Sequence, residues 1–96
     1  MKTPKGCSAF DAADYIKSEE DVALYLGVVF EEHGDDPAFI AKALGTVARA
    51  RGMNSVASKA GLSRASLYKS LSGDRVPSLD TFIKVINALG MKLKIA

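Results

Sequence analysis

The sequence predicts a mainly all-α fold with five helices and a short C-terminal strand. Capping side chains precede the apolar segments, apolar residues recur at helical spacing inside them, and glycines follow them. The 96 residues, 48% of them hydrophobic and 25% charged, suit one globular domain with one core. We expect an extended N-terminal segment over residues 1–17 and a single helical domain over residues 18–96.

The first predicted helix is apolar on almost all sides. It begins after Ser18, which forms a capping box with Asp21, and it runs to about Glu32. If one apolar stripe of this helix faces the core of the chain, its other apolar side chains must be covered by a second apolar surface. The core stripe would consist of Val22, Leu26 and Val29, and the uncovered side chains would be Leu24, Tyr25 and Val28.

We interpret the uncovered side chains as the contact surface for a partner protein. Two alternatives remain open. The segment is enclosed within its own domain, or it is a strand, because valine, tyrosine and phenylalanine favour strands.

Caps and glycines delimit the other elements. Asp36, followed by a proline, predicts the start of a second helix that ends at Gly52. Two short helices follow over residues 53–73, the first capped by Asn54 or Ser55 and the second by Ser63, with Gly61 in the turn between them. Ser78 caps a fifth helix. The predicted inward face of the fifth helix is Leu79, Phe82, Ile83, Ile86 and Leu89.

The tail over residues 91–96 alternates apolar and basic side chains, which is typical of a strand. A lone strand is not stable. It would pair with the N-terminal segment or with its copy in a dimer, and both alternatives remain open.

Charge divides the chain into two parts. Residues 10–36 carry nine acids and one lysine, a net charge of −8, whereas residues 37–96 carry ten basic residues and two acids, a net charge of +8. The basic part suits nucleic acid, and the acidic part suits a basic partner. The alternative is an acidic arm that only solubilises the protein or pairs with its own basic half.

Residue types argue against catalysis. Cys7 and His33 are the only cysteine and histidine, and no HExxH, GxSxG or Walker motif occurs. We therefore expect no catalytic residues, no metal site and no cofactor. An enzyme would have to use the carboxylates at 19–21 and 31–32 as metal ligands, but acids at helix starts and on solvated faces are more often structural.

The longest apolar run has nine residues, too few to cross a membrane, and no signal peptide is recognised. We expect a cytoplasmic protein without membrane contact.

Residues 53–73 have the features of a helix-turn-helix. Ala57 is small where two helices would cross, and Gly61 permits the turn. The inward positions of the two helices are Val56, Ala60, Leu62, Leu67 and Leu71. This pattern resembles the phage-repressor and Cro (XRE) family, with one departure: the first motif position, often glutamine in that family, is Met53. An ordinary helical hairpin with a solvated face is the alternative.

The resemblance implies that the helix from Arg64 to Leu71 enters the major groove of DNA. Arg64 would contact guanine, Ala65 a thymine methyl group, and Tyr68 a base or the sugar-phosphate. Helix ends would contact phosphates. The implied DNA-binding residues are Asn54, Ser55, Ser63, Arg64, Ala65, Ser66, Tyr68, Lys69 and Ser72, with Asn54, Ser55 and Ser72 at the helix ends.

A wider resemblance covers residues 10–95. The segments Asp-Pro-Ala, Ala-Arg-Ala-Arg-Gly-Met, Gly-Leu-Ser-Arg-Ala-Ser-Leu-Tyr-Lys and Leu-Gly-Met-Lys-Leu resemble the addiction-module antidote proteins, HigA-like antitoxins of bacterial type II toxin–antitoxin systems. This implies a five-helix, phage-repressor-like helix-turn-helix domain with an extra N-terminal helix and a short C-terminal strand. Its parts would be a partner-binding helix (18–36), a DNA-binding core (37–90) and the strand tail (91–96).

The implied function is neutralisation of a small basic RelE/HigB-like ribonuclease toxin and autorepression of the operon as a homodimer on operator DNA. The implied toxin contacts are Leu24, Tyr25, Val28, Glu31 and Glu32. The alternative is a stand-alone helix-turn-helix transcriptional regulator, in which the N-terminal helix serves only dimerisation or core packing.

Overall fold

The computed structural model of the protein describes residues 12–92 and is mainly helical, as predicted. Within that range a 3-10 turn precedes five α-helices, and no strand is present. The Cα radius of gyration is 13.1 Å, close to the value of about 13 Å for a compact chain of 100 residues. The 3-10 turn is Ala12–Tyr15, and the helices are α1 (Glu19–His33), α2 (Pro37–Arg51), α3 (Met53–Ala60), α4 (Arg64–Ser70) and α5 (Leu79–Ala88).

Side-chain caps start four of the five described α-helices, as predicted. Each capping oxygen accepts the backbone N–H three residues ahead at 3.0–3.2 Å, at Ser18, Asp36, Ser63 and Ser78. The cap predicted at Asn54 or Ser55 is wrong, because α3 already begins at Met53 after Gly52 and no side chain caps it. At α1 the Asp21 carboxylate accepts the N–H of Lys17 at 3.0 Å, one residue earlier than in a capping box.

α2 is the central helix. Eight of its fifteen residues are buried, and it contacts α1, α3 and the 3-10 turn, while α3 contacts α4 and α5. Ile40, Leu44 and Val47 recur at helical spacing along α2, and all three are buried. The largest fully buried side chains come from three helices and are Leu44, Val47, Leu67 and Val85.

α1 is a helix, so the strand alternative for this segment is wrong. Val22, Leu26 and Val29 are 4–5% exposed and face the core, as predicted. Leu24 and Val28 are 70% and 56% exposed, so the segment is not enclosed within its own domain either.

The predicted inward face of α5 is partly wrong. Val85 and Ile86 are buried and Phe82 and Leu89 half-buried, whereas Leu79 and Ile83 are exposed. Apolar residues cover a wide arc of α5, so periodicity allows more than one inward face. Packing on α3 buries the stripe that contains Val85 and leaves Leu79, the first residue of the predicted face, exposed.

Two predictions concern the chain ends. Met91 and Lys92 have no regular secondary structure, and the rest of the predicted strand tail, residues 93–96, lies outside the described residues. Most of the segment predicted to be extended (1–17) lies outside them as well, and its described part contains the 3-10 turn. No helix in the described range is long and apolar enough to cross a bilayer.

Candidate nucleic-acid interface and partner-binding face

A tight turn joins α3 to α4. Gly61 has a left-handed backbone with φ of 72°, and its N–H donates to the carbonyl of Ser58 at 3.2 Å. The N–H of Leu62 donates to the carbonyl of Ala57 at 2.9 Å. These two bonds form a Schellman motif, which satisfies the last carbonyls of α3 and redirects the chain within two residues.

α4 presents one face to the core and the other to solvent. Leu67 is fully buried and Leu71 is 4% exposed, so these two side chains fix the rotation of the helix. Five of the predicted DNA-binding residues belong to α4, and all five are exposed to solvent. They are Arg64, Ala65, Ser66, Tyr68 and Lys69.

The start of α4 is held by hydrogen bonds between predicted site residues. Ser63 caps the helix by accepting the N–H of Ser66, and the two hydroxyl groups are hydrogen-bonded at 3.0 Å. Arg64 Nη1 donates to Asn54 Oδ1 at 3.4 Å, which places the beginning of α3 beside the beginning of α4. This last bond is at the long end of the hydrogen-bond range, so Arg64 can exchange it for another acceptor at small cost.

Two residues predicted to contact phosphates, Ser55 and Ser72, lie outside the hydrogen-bonded group at the start of α4. Ser55 lines a separate cleft together with Arg51, Lys59 and Glu19, on another side of α3. Ser72 is half-buried, and its hydroxyl donates to the carbonyl of Lys69 at 3.0 Å and accepts the N–H of Asp74 at 3.2 Å. Ser72 therefore shapes the loop after α4.

Two cationic residues that the sequence did not single out lie beside α4. Lys42 and Arg49 of α2 line a cleft of about 220 Å³ that also includes Tyr68 and Ser72. Positions 42, 45 and 49 share one side of α2 at helical spacing, and this spacing is the sequence signal that could have identified them. The cleft is continuous with the exposed surface of α4 through Tyr68.

The exposed face of α1 combines apolar and acidic side chains. Leu24, Val28, Glu31 and Glu32 line a shallow groove of about 340 Å³ whose floor includes Gly27. Four of the five predicted toxin contacts therefore adjoin one another. The fifth, Tyr25, is half-buried and packs against the core, so it offers less surface to a partner than the others.

A second apolar patch lies at the start of α5. Val76 is 60%, Leu79 70% and Ile83 39% exposed. Val76 and Leu79 also border a mainly apolar groove between α2 and α5 that contains Ile40 and Phe82. Apolar side chains grouped in this way mark a contact surface more often than a solvated one.

The comparisons with known proteins identify a family. The family model described as "Probable addiction module antidote protein" matches residues 6–96. A protein of Haemophilus influenzae, described only as uncharacterized, is 43% identical over 86 residues, which cover 90% of this chain and 87% of that protein. No solved structure gives a significant match. The chain therefore belongs to the family of probable addiction-module antidote proteins.

Proposed function

We propose that this protein is a DNA-binding antitoxin of a type II toxin–antitoxin system. It neutralises a small basic RelE/HigB-like ribonuclease toxin and represses its own operon. The observation that carries the proposal is the exposed α1 groove, with Leu24 and Val28 beside Glu31 and Glu32, in a chain of the antidote family. An apolar surface bordered by carboxylates is complementary to a basic protein partner.

Toxin capture is assigned to α1 for two reasons. Leu24 and Val28 lie on the solvent side of a helix whose opposite stripe already completes the core of this chain. The segment around them has a net charge of −8, which repels nucleic acid and attracts the basic RNA-binding surface of a ribonuclease.

Operator binding is assigned to α3 and α4, a HigA-like, XRE-type helix-turn-helix. The Schellman turn at Gly61 and the buried Leu67 support this assignment, because they present a polar and basic face of α4 to solvent. Arg64 is the leading candidate for reading a guanine, and Lys69 lies on the same surface.

The DNA-binding form is proposed to be a homodimer. The exposed apolar patch of Val76, Leu79 and Ile83 supports a two-fold contact between chains, because an isologous interface pairs such a patch with its own copy. Two α4 helices would then reach half-sites about one helical turn apart. Both activities are binding functions exercised in the cytoplasm, and neither requires catalysis or a cofactor.

Co-expression tests the antitoxin assignment. The small reading frame adjacent to this gene is expressed alone and together with this chain, and growth and co-purification are measured. We expect growth arrest by the neighbour alone, and its relief by this chain in a stable complex. Absence of both arrest and complex would contradict the antitoxin role.

The second candidate is a stand-alone helix-turn-helix regulator without a toxin partner. The exposed basic face of α4 favours it, because that face supports DNA binding whether or not α1 has a partner. The co-expression result separates the two candidates, because only the antitoxin has a toxic neighbour.

A further inference from the structure

The proposed function does not account for the residues that line the cleft between α2 and the loop after α4. Its lining combines Lys42 and Arg49 of α2 with Met53, Tyr68 and Ser72. The Lys42 ammonium and the Tyr68 hydroxyl can donate hydrogen bonds to a ligand, whereas the Ser72 hydroxyl already donates to the carbonyl of Lys69. No carboxylate of the described residues lines the cleft, so its hydrogen-bonding chemistry suits an anion.

The stem of Lys42 passes beside the loop. A Cβ atom on Gly73 would lie 3.4–3.7 Å from Cδ, Cβ and Cγ of Lys42, so the methylene stem of the lysine runs next to this glycine. Gly73 has a φ of 89°, a backbone conformation that favours glycine. Lys42 is exposed, so its ammonium group stays at the surface while part of its stem lies against the loop.

The cleft also has a defined position relative to α4. Tyr68 belongs both to the exposed surface of α4 and to the cleft, and Gly45 brings α2 close to the end of α4. A helix that reads the major groove has sugar-phosphate backbone on either side of it. The cleft faces such a backbone when the exposed surface of α4 enters the groove.

We propose that Lys42 binds a phosphate of the operator backbone and that the DNA interface extends from α3 and α4 onto α2. This inference rests on the proposed operator binding. A phosphate contact positions the protein without reading sequence, so Lys42 contributes equally to binding of operator and unrelated duplexes. Arg49 lines the same cleft and adds positive potential to it.

Salt-dependent binding tests the inference. Fluorescence anisotropy is measured with a duplex from the region upstream of the gene and with a scrambled duplex of equal length. Lys42→Gln keeps the β and γ methylene groups of the stem and removes the charge. Its plot of log affinity against log salt should be shallower than that of the wild type by about 0.9 for each chain bound. Between about 50 and 200 mM salt, this amounts to roughly a 3.5-fold smaller loss of affinity for each contact removed.

Three comparison variants make the test specific. Lys84→Gln removes the same charge from α5, where Lys84 is paired with Asp80 at 3.0 Å, and should leave the slope unchanged. Lys42→Arg should retain the wild-type slope. Arg64→Ala should lose roughly 5- to 150-fold in affinity for the operator and relax base preference at one position, an effect that Lys42→Gln should not show.

The outcomes separate this inference from the proposed function. An unchanged slope for Lys42→Gln, with wild-type DNA binding intact, would overturn the phosphate site alone. Equal losses for Lys42→Gln and Lys84→Gln would also overturn it, because they would reflect net charge only. Failure of the wild-type protein to bind either duplex would refute operator binding, and the phosphate site with it.

Discussion

Gly45 determines how closely α2 approaches the end of α4. A Cβ atom at this buried position would lie 2.8 Å from the carbonyl oxygen of Leu71 and 3.3 Å from its Cβ. The close approach also brings Lys42 to the loop that follows α4. One glycine inside a helix thus supports both the core and the proposed phosphate site.

Gly45→Ala should destabilise the protein, because relieving the clash with Leu71 shifts one helix against the other at a cost of about 1–3 kcal/mol. The gain of about 1 kcal/mol in helix propensity offsets part of this cost and leaves a net loss of up to about 2 kcal/mol. The matched control is Gly27→Ala on α1, where a new Cβ meets nothing within 4 Å, and it should be stabilising. Urea unfolding followed by circular dichroism measures both. Equal stability of the two variants would contradict the packing argument.

For single residues, the sequence predicted helix N-caps more reliably than it predicted contacts between distant parts of the chain. Ser18, Asp36, Ser63 and Ser78 were identified because a cap acts on a backbone N–H only three residues away. Lys42 was missed because a lysine on a helix normally indicates a solvated face, and its position beside Gly73 depends on tertiary structure.

At the scale of helices, α1 and α5 show what periodicity can and cannot predict. On α1 the stripe of Val22, Leu26 and Val29 was predicted correctly; of the neighbours predicted to be uncovered, Leu24 and Val28 are exposed and Tyr25 is half-buried. On α5 two adjacent apolar stripes compete, and only the packing against α3 selects Val85 over Ile83. Periodicity finds an amphipathic helix, but it cannot choose between stripes when apolar residues cover most of the surface.

The two exposed apolar surfaces should have separate roles. Leu24→Ser with Val28→Ser should abolish toxin co-purification and leave the homodimer intact. Val76→Ser with Leu79→Ser should weaken the homodimer and leave toxin binding intact. All four side chains are 56–70% exposed, so neither double variant should unfold.

Size-exclusion chromatography with light scattering measures the dimer, and affinity co-purification measures the complex. Loss of both properties in both variants would show that the surfaces form one interface. Unfolding of the α1 variant would show that Leu24 and Val28 belong to the core.

At the scale of the whole molecule, two oppositely charged regions share one small helical body. α1 packs on α2, and α4 packs on α3, so the acidic groove and the exposed residues of α4 belong to helices that contact different neighbours. Charge counting along the sequence predicted this division. It could not predict which acids border an apolar groove, because that depends on the rotation of α1 set by its buried stripe.

The position of the acidic residues, more than the net charge, should therefore control toxin association. Glu31→Gln with Glu32→Gln removes two carboxylates from the rim of the α1 groove and should slow association with a basic toxin severalfold at low salt. The matched control is Glu19→Gln with Glu20→Gln, which removes the same charge from the start of the same helix, outside that groove. Association rates measured by stopped-flow fluorescence over a range of salt concentrations should converge for all variants as screening increases. Equal slowing by both pairs would show that the association rate depends only on net charge. The carboxylates of the α1 groove would then give no evidence that the toxin docks there.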